Sequence, residues 1–142
     1  MAIHKDVAYR MELARGYLNE AEQFFPCRQW RACVSVSILV IENTSLGVLM
    51  LFGVSAQTHQ PGKHLAQLIS EGTVTDEVAS LVRELLPELE KFDSHEKMLV
   101  KYGDEAEYRL PWQIFGEQEA SVAVEAARKC IRVCSQIVEI HE

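Results

Sequence analysis

The sequence predicts an all-α fold, namely an antiparallel, up-and-down four-helix bundle with one short additional helix. Two observations lead to this prediction. Four segments place apolar residues at intervals of three and four, which keeps one apolar stripe along a helix. No segment shows the strict alternation of apolar and polar residues that is typical of a strand. With 142 residues and 48% apolar composition, the chain is expected to form one domain over residues 1–142.

The first two helices are predicted on either side of Pro26, which ends the first one. The first stripe consists of Val7, Met11, Ala14, Leu18, Ala21 and Phe25. The second helix is expected over about residues 29–52, with Gly53 as its stop. Its main stripe consists of Trp30, Val34, Ile38, Ile41, Ser45, Val48 and Phe52.

This second helix carries a further apolar face, formed by Val36, Leu39, Val40, Leu46 and Met50. A helix with two apolar faces needs two partners, so we expect its own bundle on one side and a second copy of the chain on the other. Residues 32–54 are also long enough to span a membrane. Because Glu42 and Asn43 lie at the centre of that segment, we favour a buried helix of a protein with no membrane contact.

The remaining elements follow from caps and breakers. Pro61 and Gly62 precede the short helix, and Thr75 is the expected N-cap of the third long helix, which reaches Phe92. Pro87 is expected to kink that helix or divide it in two. An ordered loop is expected from Tyr102 to the start of the last helix, which is predicted over residues 117–140.

Charge and cysteine content narrow the function classes. Fourteen basic against twenty-one acidic residues give a net charge of −7, so non-specific nucleic-acid binding by this domain alone is not expected. The first residues lack the apolar core of a signal peptide, so we expect a cytoplasmic protein. The four cysteines sit in apolar helical patterns, and we therefore expect them to be buried, reduced thiols. One zinc site would need all four cysteines. Cys27 and Cys33 lie near the start of the second helix and Cys130 and Cys134 mid-way along the last helix, which is too far apart. We therefore expect no metal, and no cofactor is expected either.

No motif of a hydrolase or phosphate-binding loop occurs. His59 and His64 flank a helix start where an anion could bind, but we favour the interpretation that they are two solvated loop histidines. The densest polar cluster covers residues 91–109 and precedes Trp112. Cations beside aromatic rings could bind a phosphate or a base, whereas the alternative is a solvated helix end with local ion pairs. The candidate ligand-binding residues are His95, Lys97, Lys101, Tyr102, Asp104 and Arg109.

Glu42 is the other unusual residue, because a carboxylate on a helix with two apolar faces is partly buried and needs a donor. We interpret it as a hydrogen-bonding anchor between helices, since no second carboxylate forms an acid–base pair with it.

Taken together, these segments resemble a HEPN domain. The likeness rests first on the two opening helices, YRMELARGYLNEAEQFF and RQWRACVSVSILVIENTSLGVLMLFG, in which Glu42 occupies the family's acidic position. It rests also on two later stretches, THQPGKHLAQLI after the second helix and KYGDEAEYRLP before the last helix. In the last stretch Lys101 occupies a position that is often arginine and is followed by Tyr102 and Asp104.

The resemblance implies a non-catalytic binding module. HEPN ribonucleases carry an Arg followed four to six residues later by His, and no such pair occurs here. The resemblance therefore implies a homodimeric, nucleotide-binding or partner subunit of a small nucleotidyltransferase, as in toxin–antitoxin pairs. Two alternatives stay open: a degenerate ribonuclease that uses His95 with Lys97 or Lys101, and a purely structural assembly domain.

Overall fold

The computed structural model describes residues 2–54 and 60–141, and these residues form seven helices and no strand. The all-α bundle with a short helix after its second long helix is confirmed. The four long helices are α1, α2, α4 and α7, and the three short ones are α3, α5 and α6. Their bounds are α1 Ala2–Phe24, α2 Trp30–Leu51, α3 Pro61–Ser70, α4 Asp76–Lys91, α5 Ser94–Tyr102, α6 Pro111–Ile114 and α7 Glu117–His141.

Helix α2 forms the centre of the fold. It packs against α1 and α7 along its length and also contacts α3, α4, α5 and α6. The predicted stripes face this core: Ala14, Val40 and Ala127 are fully buried where α1, α2 and α7 meet. Small residues at this point allow the three helices to approach closely, and larger aliphatic residues fill the space toward α4.

The chain itself covers most of both apolar faces of α2. No residue of this helix is exposed, and on the second face Val40 and Leu46 are buried while Val36, Leu39 and Met50 are half-buried. The helix is long and apolar enough to cross a membrane by composition, yet 72% of its most apolar window is buried inside the fold, as in the core helix of a globular domain. The second face is thus partly accessible, and self-association stays a prediction.

The third long helix is continuous through Pro87 and is not divided there. The break falls at Phe92 and Asp93 instead, and α5 begins immediately afterward. Asp93 stabilises that start, because its side chain accepts hydrogen bonds from the backbone N–H groups of His95 (3.0 Å) and Glu96 (3.3 Å). Helix α6 lies within the predicted loop and has Pro111 in its first turn.

A tight turn joins α1 to α2. The N–H of Arg28 donates to Phe25 O at 3.0 Å and the N–H of Gln29 donates to Phe24 O at 3.1 Å, which is the Schellman pattern. Arg28 adopts a φ of 60° at the position where glycine is usually found. Cys27 is exposed in this turn, so the prediction of a buried thiol is wrong at this position: Pro26 places it outside both helical stripes.

Candidate functional site

A cleft of about 490 Å³ opens between α2, α3, α4 and α5. Ile38 and Ile41 of α2 lie on one side, with Leu89 of α4 and Phe92 opposite, so much of its wall is apolar. Its volume falls in the range of small-molecule sites, which are typically apolar with a few placed polar groups. We call it the α2–α5 cleft.

An ion pair lies at the α2–α5 cleft. The Lys97 Nζ atom of α5 is 3.3 Å from a carboxylate oxygen of Glu42 on α2. The two side chains are 21% and 17% exposed, so the pair is partly shielded from water and is stronger than a surface pair. This contact agrees with the interpretation of Glu42 as an anchor between helices, and it gives the cleft both a donor and an acceptor.

Further charged groups come from the ends of three helices. Gly62 and Lys63 belong to the first turn of α3, Glu90 to the last turn of α4, and Asp93 to the cap of α5. A side chain at position 62 would contact Leu89 Cβ at 3.3 Å, so glycine permits α3 to start close to α4. The cleft therefore presents carboxylates and ammonium groups side by side on an apolar base.

Of the six candidate ligand-binding residues, only Lys97 lines this cleft. Lys101 lies one turn further along α5 and is exposed. His95 and Tyr102 are seven residues apart on another face of the same helix, and both are exposed. Because a helix turns by about 100° per residue, Lys97 points well away from His95.

Asp104 and Arg109 lie together in the turn after α5. Their backbones exchange two N–H···O bonds of 2.9 Å, which form an isolated antiparallel bridge. The Asp104 carboxylate also accepts a 3.2 Å bond from the N–H of Glu107, and the Arg109 guanidinium donates to Gln113 O at 3.5 Å. These two side chains therefore organise the turn itself.

The same turn exposes apolar and aromatic side chains. Tyr108 is 91% exposed and has a φ of 54°, and Trp112 is 69% exposed. Tyr102, Leu110 and Met98 are each more than half exposed. We call these five residues the α5–α6 apolar patch.

Sequence reasoning missed most of the cleft. Ile38 and Ile41 belong to the predicted stripe of the second helix, and the structure places both in the core together with Phe92, with Leu89 packed against it. The cleft exists because the short helices leave a gap beside these residues, and no local sequence signal encodes a gap. His59 lies outside the described residues, and His64 is part of α3 without lining the cleft.

Neither the pKa shifts nor the metal-ligating side chains of the described residues indicate a second functional site. Burial raises the pKa of the Cys130 thiol to about 12 and raises the pKa of Cys134 further, as for core cysteines. Burial also raises the pKa of Glu96 on α5. Within residues 2–54 and 60–141, no group of three or more His, Cys, Asp or Glu side chains could hold a metal ion.

Comparison with known proteins supports the fold. No protein-family model matches the chain, and no curated protein matches it. The chain is similar to the crystal structure of TT1696 from Thermus thermophilus, with a TM-score of 0.69 and 18% sequence identity. The match covers 92% of this chain and 97% of that one. At this identity the likeness shows a shared helical fold.

Proposed function

We propose that this protein is a non-catalytic, HEPN-like binding module whose α2–α5 cleft binds a nucleoside monophosphate. The observation that carries the proposal is the combination, in one cleft of about 490 Å³, of apolar walls with the Glu42–Lys97 pair. The resemblance in sequence to nucleotide-linked HEPN domains points to the same ligand class.

The chemistry of the cleft selects among nucleotides. Leu86 and Leu89, which are partly exposed, offer an apolar surface for a base, while Lys63 and Lys97 supply cations for a phosphate. Three carboxylates, on Glu42, Glu90 and Asp93, can accept hydrogen bonds from ribose hydroxyls or amino groups. The same carboxylates repel a triphosphate, so a monophosphate should bind more tightly than a triphosphate.

The ribonuclease alternative lacks the geometry that it needs. His95 with Lys97 would have to act on one phosphate, but these side chains leave α5 on different faces and Lys97 is held by Glu42. His95 and Lys101 do not share a face either. We therefore propose binding without catalysis.

The α5–α6 apolar patch suits a protein partner. Five exposed apolar or aromatic side chains lie within fifteen residues of the sequence, and aromatic residues are common at interfaces. The resemblance identifies a small nucleotidyltransferase as the expected partner, alongside self-association. Both remain predictions of the proposed function.

Isothermal titration with nucleoside monophosphates tests the cleft. Lys97→Met should weaken binding about tenfold, because one charge-assisted contact of roughly 1.4 kcal/mol is lost. Lys101→Met is the matched control: it removes the same charge from the next turn of α5, outside the cleft, and should leave the affinity unchanged. Absence of binding by the wild-type protein, or equal weakening by both variants, would overturn the assignment.

Co-expression with a nucleotidyltransferase encoded next to this protein tests the partner. A stable complex should form, and Trp112→Ser with Tyr108→Ser should dissociate it while leaving Lys97-dependent nucleotide binding intact. If the two proteins do not co-purify, or if the patch variant still forms the complex, the partner assignment through this patch fails.

A further inference from the structure

A second cavity, of about 320 Å³, lies between the α1–α2 turn and α6. It shares no lining residue with the α2–α5 cleft. Arg28 and Arg31 supply its charge, Trp30, Trp112 and Phe115 supply its aromatic rings, and none of its lining residues is acidic. In a chain of net charge −7 this is a local concentration of positive charge, and we call it the arginine cavity.

The two guanidinium groups are available to a ligand. Neither Arg28 nor Arg31 forms an ion pair with a carboxylate within the described part of the chain. Arg31 is held in place, since its Nε–H donates to the backbone oxygen of Val100 at 2.8 Å. That bond uses one edge of the guanidinium group and orients the remaining Nη donors. Two arginines without carboxylate partners are suited to a phosphate, which accepts bidentate hydrogen bonds.

The rings supply a second type of contact. Trp30 is partly buried and is fixed by an edge-on contact with Phe25, at 5.2 Å between ring centroids. Trp112 is 69% exposed and stands at the opposite wall of the arginine cavity. An exposed indole beside a cation-lined cavity is a stacking surface for a planar ring. Residues of the first turn of α2 line the cavity, and that turn contains no acidic residue that would compete with an anion.

We propose that the arginine cavity binds a phosphate ester that carries a planar ring: the phosphate contacts Arg28 and Arg31, and the ring stacks on Trp112. This binding is independent of the nucleotide proposed for the α2–α5 cleft. A mononucleotide could therefore occupy both places, and the experiment has to separate them.

Intrinsic tryptophan fluorescence is a local reporter, because the only two tryptophans of the sequence line this cavity. The probes are AMP, adenosine and inorganic phosphate. AMP should change the emission at millimolar concentration, adenosine and phosphate should each do so at least about tenfold less effectively, and added salt should weaken the AMP response.

Variants assign the response to the arginines. Arg28→Asn removes the positive charge, and asparagine tolerates the positive φ of this position. The variant should weaken the AMP response about tenfold. Arg31→Lys keeps a charge but not the bidentate donors and should also weaken it. Arg83→Gln, an exposed arginine on α4, is the control and should have no effect.

The outcomes also separate the two proposals. A tryptophan response that survives Lys97→Met and disappears in Arg28→Asn supports the arginine cavity whether or not the cleft binds nucleotide. A response that disappears only in Lys97→Met, or no response to AMP at all, overturns the arginine cavity. Equal responses to AMP and inorganic phosphate overturn stacking on Trp112.

Discussion

The ammonium group of Lys97 lies 3.3 Å from the carboxylate of Glu42 and thereby ties the short helix α5 to the central helix α2. A second polar contact joins the same two helices, because Arg31 Nε–H donates to the backbone oxygen of Val100, the only buried residue of α5. The ion pair therefore positions one wall of the α2–α5 cleft as well as giving it charge.

Breaking this pair should destabilise the fold. We expect Glu42→Gln to lower the free energy of unfolding by about 1–3 kcal/mol, because a partly buried ammonium loses its charged acceptor. A double-mutant cycle with Lys97→Met, measured by urea unfolding, should give a coupling energy of about 1 kcal/mol. Strictly additive effects would show that the two side chains do not interact in solution.

Gly103 should tolerate no side chain. Its φ is 69°, and an added Cβ would lie 2.2 Å from the backbone oxygen of Arg109. Gly72 has a similar φ of 67° with nothing near, so Gly72→Ala measures the backbone cost alone, about 1 kcal/mol.

Thermal unfolding of the two variants should therefore differ. Gly103→Ala should lose at least about 1 kcal/mol more than Gly72→Ala and should disrupt the Asp104–Arg109 bridge, because the contact is with backbone that cannot rotate away. Equal losses in the two variants would contradict this explanation of Gly103.

Arg28→Gly should stabilise the protein. Arginine in a left-handed conformation costs roughly 1 kcal/mol, and glycine at the same position of a Schellman turn avoids most of that cost. We expect a gain of about 0.5 kcal/mol after the greater chain entropy of glycine is subtracted. In the middle of α4, Arg83→Gly should have the opposite sign, and a loss of stability in both variants would argue against strain at position 28.

The four thiols should react very differently. Cys27 is exposed, whereas Cys33, Cys130 and Cys134 are buried. A thiol reagent should therefore modify one cysteine per folded chain quickly and the others only on unfolding, and Cys27→Ser should remove the fast phase.

The buried thiols also predict a loss of stability at high pH. The folded-state pKa of Cys130 is raised to about 12, so between the unfolded pKa of 9.0 and 12 the unfolded chain loses this proton and the folded chain keeps it. The stabilisation is complete below pH 9.0 and falls by about 1.4 kcal/mol per pH unit above it. Comparing wild type with Cys130→Ala at pH 8 and pH 10 by urea unfolding isolates this effect, and identical pH dependences would refute it.

The positions of the helices could be read from local pattern because helix formation depends on neighbours three and four residues away. The last helix was expected over residues 117–140 and ends at His141, and Thr75 caps α4 as expected, accepting a bond from Val78 N. The prediction lacks helix α5, although Asp93 and Glu96 have the spacing of a capping box. The site is less accessible to prediction, because the six candidate residues are neighbours in sequence but not in space: His95 and Tyr102 lie on another face of α5 from Lys97, Lys101 lies one turn further along, and Asp104 and Arg109 follow the helix.

Local sequence pattern is enough to specify a helical bundle with a largely apolar second helix and a carboxylate at its centre. Those features follow from hydrophobic periodicity, which is local. Tertiary packing, in contrast, is responsible for the cover that the chain gives to most of α2, for the contact between Glu42 and Lys97, and for the cavity that two arginines and two tryptophans line. Such contacts join residues far apart along the chain. They depend on how the short helices α3, α5 and α6 fill the space around α2, and hydrophobic periodicity carries no information about that arrangement.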